Sequence, residues 1–152
     1  MSQIQIAERY AKSLIDLAQD QHLLPNVFED IRSIEALCAN KEFASLLKSP
    51  VISSDKKIAV INGLLQGKIS ELTMLFIRLL IQKGREQILP AICHAFTGQY
   101  KKINKIQSAQ IITAVELNES EMNKIKTRFA SWLQPGETME LTQKVDSSLI
   151  GG

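Results

Sequence analysis

Residues 72–81 read LTMLFIRLLI, and the fold turns on how this stretch is buried. Successive residues of an α-helix step about 100° around its axis. Leu72, Leu75, Phe76, Leu79 and Leu80 then fill one broad face, while Met74, Ile77 and Ile81 lie well round the cylinder. Only Thr73 and Arg78 interrupt the coat. A helix on the surface of a globular protein shows a single apolar stripe, whereas one that is apolar all round is enclosed by a core, a membrane or a partner. Crossing a bilayer takes about 20 apolar residues; this run is shorter and contains Arg78. The stretch therefore predicts the central helix of a bundle, with apolar surface left over for another chain.

Helical periods continue on both sides of it. Ala7, Ala11, Leu14 and Ala18 share a face of small residues that lets a neighbour approach closely, and Ile6, Tyr10, Ser13 and Leu17 form a second stripe. Pro25 suits the first turn of a second helix, where Val27, Ile31, Ile34 and Cys38 keep the period. Phe43, Leu46 and Leu47 make a short third helix that stops before Ser49-Pro50. Ser53, Ser54 and Asp55 offer N-caps to a fourth, with Ile58, Ile61 and Leu65 inward and Gly67 ending it. The central helix is the fifth, closed by Gly84. A sixth, from about 85 to 103, carries Ile88, Leu89, Ile92, Phe96, Tyr100 and Ile103 on one side.

Past the stretch KKINKIQ the period changes. Residues 107–117, QSAQIITAVEL, alternate and are β-branched, as a strand requires. Asn118 and Glu121 then form a capping-box pattern before a helix with Met122, Ile125, Phe129 and Trp132. Gln134-Pro135-Gly136-Glu137 reads as a turn, and Met139, Leu141, Gln143 and Val145 alternate again. The expected class is mainly α: a six-helix bundle over 1–104, then a small, incomplete β-α-β unit over 105–152.

Bulk composition agrees with a globular, helical chain: of 152 residues, 45% are hydrophobic and 5% aromatic. The net charge of +2 divides into 13 basic and 10 acidic residues over 1–104, and 5 and 6 over 105–152. Neither half carries the field that nucleic acid or an anionic membrane would call for. The N-terminus lacks the pattern of a signal peptide. Cys38 and Cys93 read as free thiols in a reducing compartment.

No constellation for catalysis, a metal or a cofactor emerges. His22 and His94 have no second ligand at metal spacing. Gly63–Gly67 lacks the Lys-Ser/Thr of a phosphate loop. Lys56-Lys57 and Lys101-Lys102 read as solvated helix ends. Gly151-Gly152 is similar to a ubiquitin-like tail, but such a tail would follow a complete β-grasp.

Five landmarks occur in order: Ala7-Glu8-Arg9-Tyr10-Ala11; FASLLKSP at 43–50 with Lys56-Lys57 after it; Arg78 to Arg85, RLLIQKGR; Thr113-Ala114-Val115-Glu116-Leu117; and VDSSLIGG at 145–152. Together these resemble the delta subunit of bacterial F-type ATP synthase, the counterpart of the mitochondrial oligomycin sensitivity conferring protein. The resemblance implies a non-catalytic stator subunit with no cofactor. It implies that the helical unit binds N-terminal helices of the α subunits in a groove between its first and fifth helices, and that the C-terminal unit meets the b subunits of the peripheral stalk. It also implies a peripheral place on the cytoplasmic face of the bacterial inner membrane, with no direct insertion and no nucleic acid partner. For the groove the expected residues are Ile6, Tyr10, Ser13 and Leu17 of the first helix and Ile77, Leu80, Ile81 and Lys83 of the fifth, with plain bundle core as the alternative for each, above all for Leu17 and Leu80. Arg85 is expected to brace carbonyls or carboxylates nearby. Members of the family continue beyond the Gly-Gly with another strand and a closing helix, so the C-terminal unit is expected to have an exposed edge and weaker order.

Two other readings compete. A small helical RNA-binding factor of the antitermination type would need a basic face and leaves both strands unexplained. An enzyme with a site built from scattered polar residues would show a polar pocket in place of an apolar groove.

Overall fold

The computed structural model describes residues 2–149, so the Gly151-Gly152 tail lies outside the described residues. The first of two compact units, Met1–Tyr100, is all helical. In chain order it contains α1 (Gln3–Asp20), α2 (Leu24–Cys38), α3 (Lys41–Lys48), α4 (Ser54–Leu65), α5 (Glu71–Gln82) and α6 (Leu89–Ile103), whose last turn runs into the second unit.

Local chemistry sets each boundary. Ser2 and Gln5 close a capping box on α1, with Gln5 N–H donating to Ser2 Oγ at 3.2 Å. Pro25 sits in the first turn of α2, Asn40 caps α3, Ser53 caps α4 and Ser70 caps α5. The end of α5 is a Schellman turn. Gly84 adopts φ +68°, Arg85 N–H donates to Leu80 C=O at 2.8 Å, and Gly84 N–H donates to Ile81 C=O at 3.0 Å. A β-carbon would strain that left-handed position. The sixth helix begins later than its apolar period suggests. Residues Glu86–Ile88 form a 3-10 turn, and Pro90 then occupies the first turn of α6.

The core draws on every helix. Ala7, Ala11, Leu14, Ile15 and Ala18 meet Val27, Ile31, Ile34, Phe43, Leu47, Ile61, Met74, Ile77, Leu80, Ile81, Ile92 and Phe96. Burial of each large aliphatic or aromatic side chain stabilises by about 1.5–3 kcal/mol. Thus α5 is the enclosed helix that its sequence suggests.

The second unit, Lys101–Gly152, holds β1 (Ile106–Thr113), α7 (Glu119–Ala130) and β2 (Thr138–Val145). The strands pair in parallel, from Ile106 opposite Thr138 to Thr113 opposite Val145. A parallel pair needs a crossover, and α7 supplies it. Asn118 caps α7 in the expected box with Glu121. β1 ends at Thr113, short of the expected Leu117, because its partner ends at Val145 and Thr113 Oγ1 donates to Val115 C=O. Trp132 lies beyond the helix end, 69% exposed, edge-on to Phe129 at 4.7 Å. No described residue of this unit is fully buried.

Candidate functional site

Because the alanine face of α1 is turned into the core, the other stripe is turned out. Ile6 and Tyr10 are half-buried, and Ser13 and Leu17 are exposed, Leu17 at 47%. Ser13 Oγ donates to the Arg9 carbonyl of its own helix at 3.0 Å, so its hydroxyl is satisfied and adds little bulk. The Tyr10 ring meets Phe76 of α5 edge-to-face, 6.2 Å between centroids at 71°. The Arg85 guanidinium lies 5.9 Å from the same ring, a cation–π contact in place of the expected brace to carbonyls. Ile6, Arg9, Tyr10, Ser13 and Arg85 line an open hollow of ≈ 220 Å³. Tyr10 therefore joins α1 to α5, and the furrow beside it runs between α1 and Arg85, just past the end of α5.

On α5 the structure corrects the expected site. Ile77, Leu80 and Ile81 are 1%, 1% and 0% exposed and lie in the bundle core. They do not line an open groove; all three take the core alternative. The open apolar side chains are Leu75 at 63% and Leu79 at 42%, with Leu72 half-buried. Leu72 and Leu79 stand one turn either side of Phe76, the residue that touches Tyr10. The exposed flank of α5 thus runs through Leu75 and Leu79, with Leu72 at its edge. Lys83, at the C-cap, is exposed.

The two polar residues in the interior of α5, Thr73 and Arg78, do not mark its open side. Thr73 Oγ1 donates to Asp30 Oδ2 of α2 at 2.8 Å, and Arg78 gives two hydrogen bonds to Asn62 Oδ1 of α4 at 3.1 and 2.9 Å. Asp30 Oδ2 also accepts from the N–H and Oγ of Ser70, at 3.0 and 2.7 Å, so α2 holds the cap of α5.

Lys57, expected in solvent, is buried. Its Nζ donates to Glu86 Oε1 at 2.6 Å and to the Leu47 carbonyl at 3.2 Å, tying α3, α4 and the 3-10 turn together. The signal was in the period: Lys57 stands one turn before Ile61, on the inward row. A second apolar hollow of ≈ 400 Å³ is lined by Leu37, Phe43, Leu46, Val60 and Leu64 among others. Among the described residues, no group of three or more His, Cys, Asp or Glu is placed to hold a metal ion.

The model of the ATP synthase delta (OSCP) subunit family matches residues 6–152. The chain belongs to that family. The ATP synthase subunit delta of Cytophaga hutchinsonii is 33% identical over all of this chain and 82% of its own length. That of Trichodesmium erythraeum is 36% identical over 97% of this chain and 81% of its own. A chain of the Toxoplasma gondii mitochondrial ATP synthase hexamer superposes with a TM-score of 0.78 at 23% identity, over 93% of this chain and 79% of that one, and shares its fold. As a delta/OSCP subunit the chain is a component of an ATP synthase.

Proposed function

We propose that this chain is a non-catalytic stator subunit, tying the catalytic head of an F-type ATP synthase to its peripheral stalk. The observation that carries the reading is the furrow at Tyr10. Two helices meet there through a ring contact, and beside it the otherwise enclosed α5 leaves Leu75 and Leu79 open. An amphipathic helix laid into such a furrow is a standard recognition mode. The occupant is the N-terminal helix of an α subunit, seated against Ile6, Tyr10, Ser13 and Leu17 of α1 and the Leu72–Leu79 flank of α5. Arg85 borders the furrow, and Lys83 stands exposed at the C-cap of α5. The C-terminal unit faces the b subunits. The chain is peripheral, on the cytoplasmic face of the bacterial inner membrane; no described helix is long and apolar enough to cross a membrane.

A peptide from the start of an ATP synthase α subunit tests the docking by calorimetric titration of the whole chain. Binding is expected, with Tyr10→Ala weakening it at least tenfold, about 1.4 kcal/mol. Absence of binding, or equal affinity for the wild type and Tyr10→Ala, would contradict the reading.

A further inference from the structure

Arginines from two separate elements, Arg9 and Arg85, line the hollow beside Tyr10. At about 100° per residue, Ile6 and Ser13 of α1 fall between Arg9 on one flank and Tyr10 on the other. Arg85 follows the end of α5 and lays its guanidinium 5.9 Å from the Tyr10 ring. The hollow thus has a floor of Ile6 and Ser13, an aliphatic side chain and a small one, with a cation from α1 on one side and Arg85 with the Tyr10 ring on the other.

Neither cation has an anion of its own. The ion pairs among the described residues are Lys12–Asp16, Lys57–Glu86 and Lys101–Glu140, and neither arginine takes part in one. Glu86, next to Arg85 in the chain, is buried and accepts from Lys57 Nζ at 2.6 Å. Asp16 accepts from Lys12 Nζ at 3.1 Å. Glu8 lines a different hollow, with Gln5, Arg9, Lys12 and Gln99. In the free chain both arginines are exposed and water solvates them. A helix seated in the furrow covers the hollow and removes that water. A cation enclosed without a partner is costly, and a charge-assisted hydrogen bond to a carboxylate compensates it. Two like charges lining one small hollow also repel, and a single anion between them relieves the repulsion.

We propose that the helix docking in this furrow presents an Asp or Glu side chain to the hollow, where Arg9 and Arg85 together bind its carboxylate. This pairing rests on the docking proposed above and adds the chemistry that selects the occupant. The open leucines of α5 offer contact area to any apolar row, whereas the two arginines ask for an acid at one place along the helix. That acid stands on the flank of the apolar row, within three or four residues of the side chains that flank it. The Arg85 guanidinium, held against the Tyr10 ring, offers its planar fork to the carboxylate. A helix with the right apolar row but an amide or a lysine at that place leaves both cations enclosed and unpaired, so it is rejected.

The test titrates the whole chain calorimetrically with the N-terminal peptide of an ATP synthase α subunit, at salt concentrations of about 0.05 and 0.5 M. It is repeated with each Asp or Glu of the peptide replaced in turn by its amide. Binding of the unaltered peptide is expected to weaken at the higher salt. Arg9→Gln and Arg85→Gln should each weaken binding about tenfold at the lower salt and flatten the salt dependence. Both side chains are exposed, so both variants keep the bundle, which circular dichroism checks. One peptide amide should reproduce the loss, and combining it with Arg85→Gln should add little, because the pair is already broken. Unchanged affinity in both arginine variants, a loss that no single amide reproduces, or losses that simply add would overturn the proposal. In those outcomes the unaltered peptide still binds, so the docking itself stands. Failure of the unaltered peptide to bind at either salt concentration would overturn both.

Discussion

Leu79 and Leu80 are neighbours in the chain and opposite in role. Leu80 is 1% exposed inside the bundle and Leu79 is 42% exposed beside Tyr10's contact with α5. Leu80→Asp should cost more than about 4 kcal/mol, because an unpaired carboxylate enters the core. Leu79→Asp should change stability by no more than about 0.5 kcal/mol while weakening α-peptide binding. Urea unfolding measures the first effect and calorimetric titration the second. Sequence periodicity could not separate these two leucines. A helix apolar on every side has no polar face to show which way it turns, and its only interior polar residues, Thr73 and Arg78, bond to Asp30 and Asn62 of neighbouring helices. Lys57 was obscured for a related reason, since a lysine beside another lysine reads as surface. In the structure it forms a buried pair with Glu86, whose Oε2 has no partner among the described residues. Lys57→Met should destabilise the bundle by about 3–5 kcal/mol, and adding Glu86→Leu should recover most of that loss. Thermal unfolding of the single and double variants checks both halves, and a silent single variant would contradict the pairing.

At the scale of elements, caps and terminators were readable because each rests on a residue type with one local job. Ser53, Gly84, Asn118 and Glu121 occupy the positions their chemistry suggests. Long-range partners were not readable, since hydrogen bonds between helices leave no period in the sequence. Asp30 is the clearest instance: it takes three hydrogen bonds from the first turn of α5, forty residues away and more. Asp30→Ala should lower stability by about 2–3 kcal/mol and loosen the start of α5, seen as faster amide exchange at Thr73 and Met74. Exchange unchanged at those amides would mean that Ser70 caps the helix unaided. The strand β1 shows the opposite limit. Its alternation continues to Leu117, but a strand lasts only as far as its partner, and β2 stops at Val145.

The whole chain divides into a bundle with a buried apolar core and a β-α-β unit with no fully buried described residue. The period of the sequence changes near Asn104, whereas the two units part between Tyr100 and Lys101. The placement of the open furrow did not follow from it, because it depends on which flank of α5 meets Tyr10. Amides of β1, α7 and β2 should exchange at least tenfold faster than those at the centres of α2 and α5, as low burial implies; uniformly strong protection would contradict this. The central claim is that a foreign helix lies beside Tyr10. The most direct measurement is the amide chemical-shift map of the labelled chain as an ATP synthase α-subunit N-terminal peptide is added. The account predicts shifts clustered at Ile6, Tyr10, Ser13, Leu17, Phe76, Leu79 and Arg85. A saturating peptide that moves none of these, or that moves only Leu37, Phe43, Leu46, Val60 and Leu64, would contradict it.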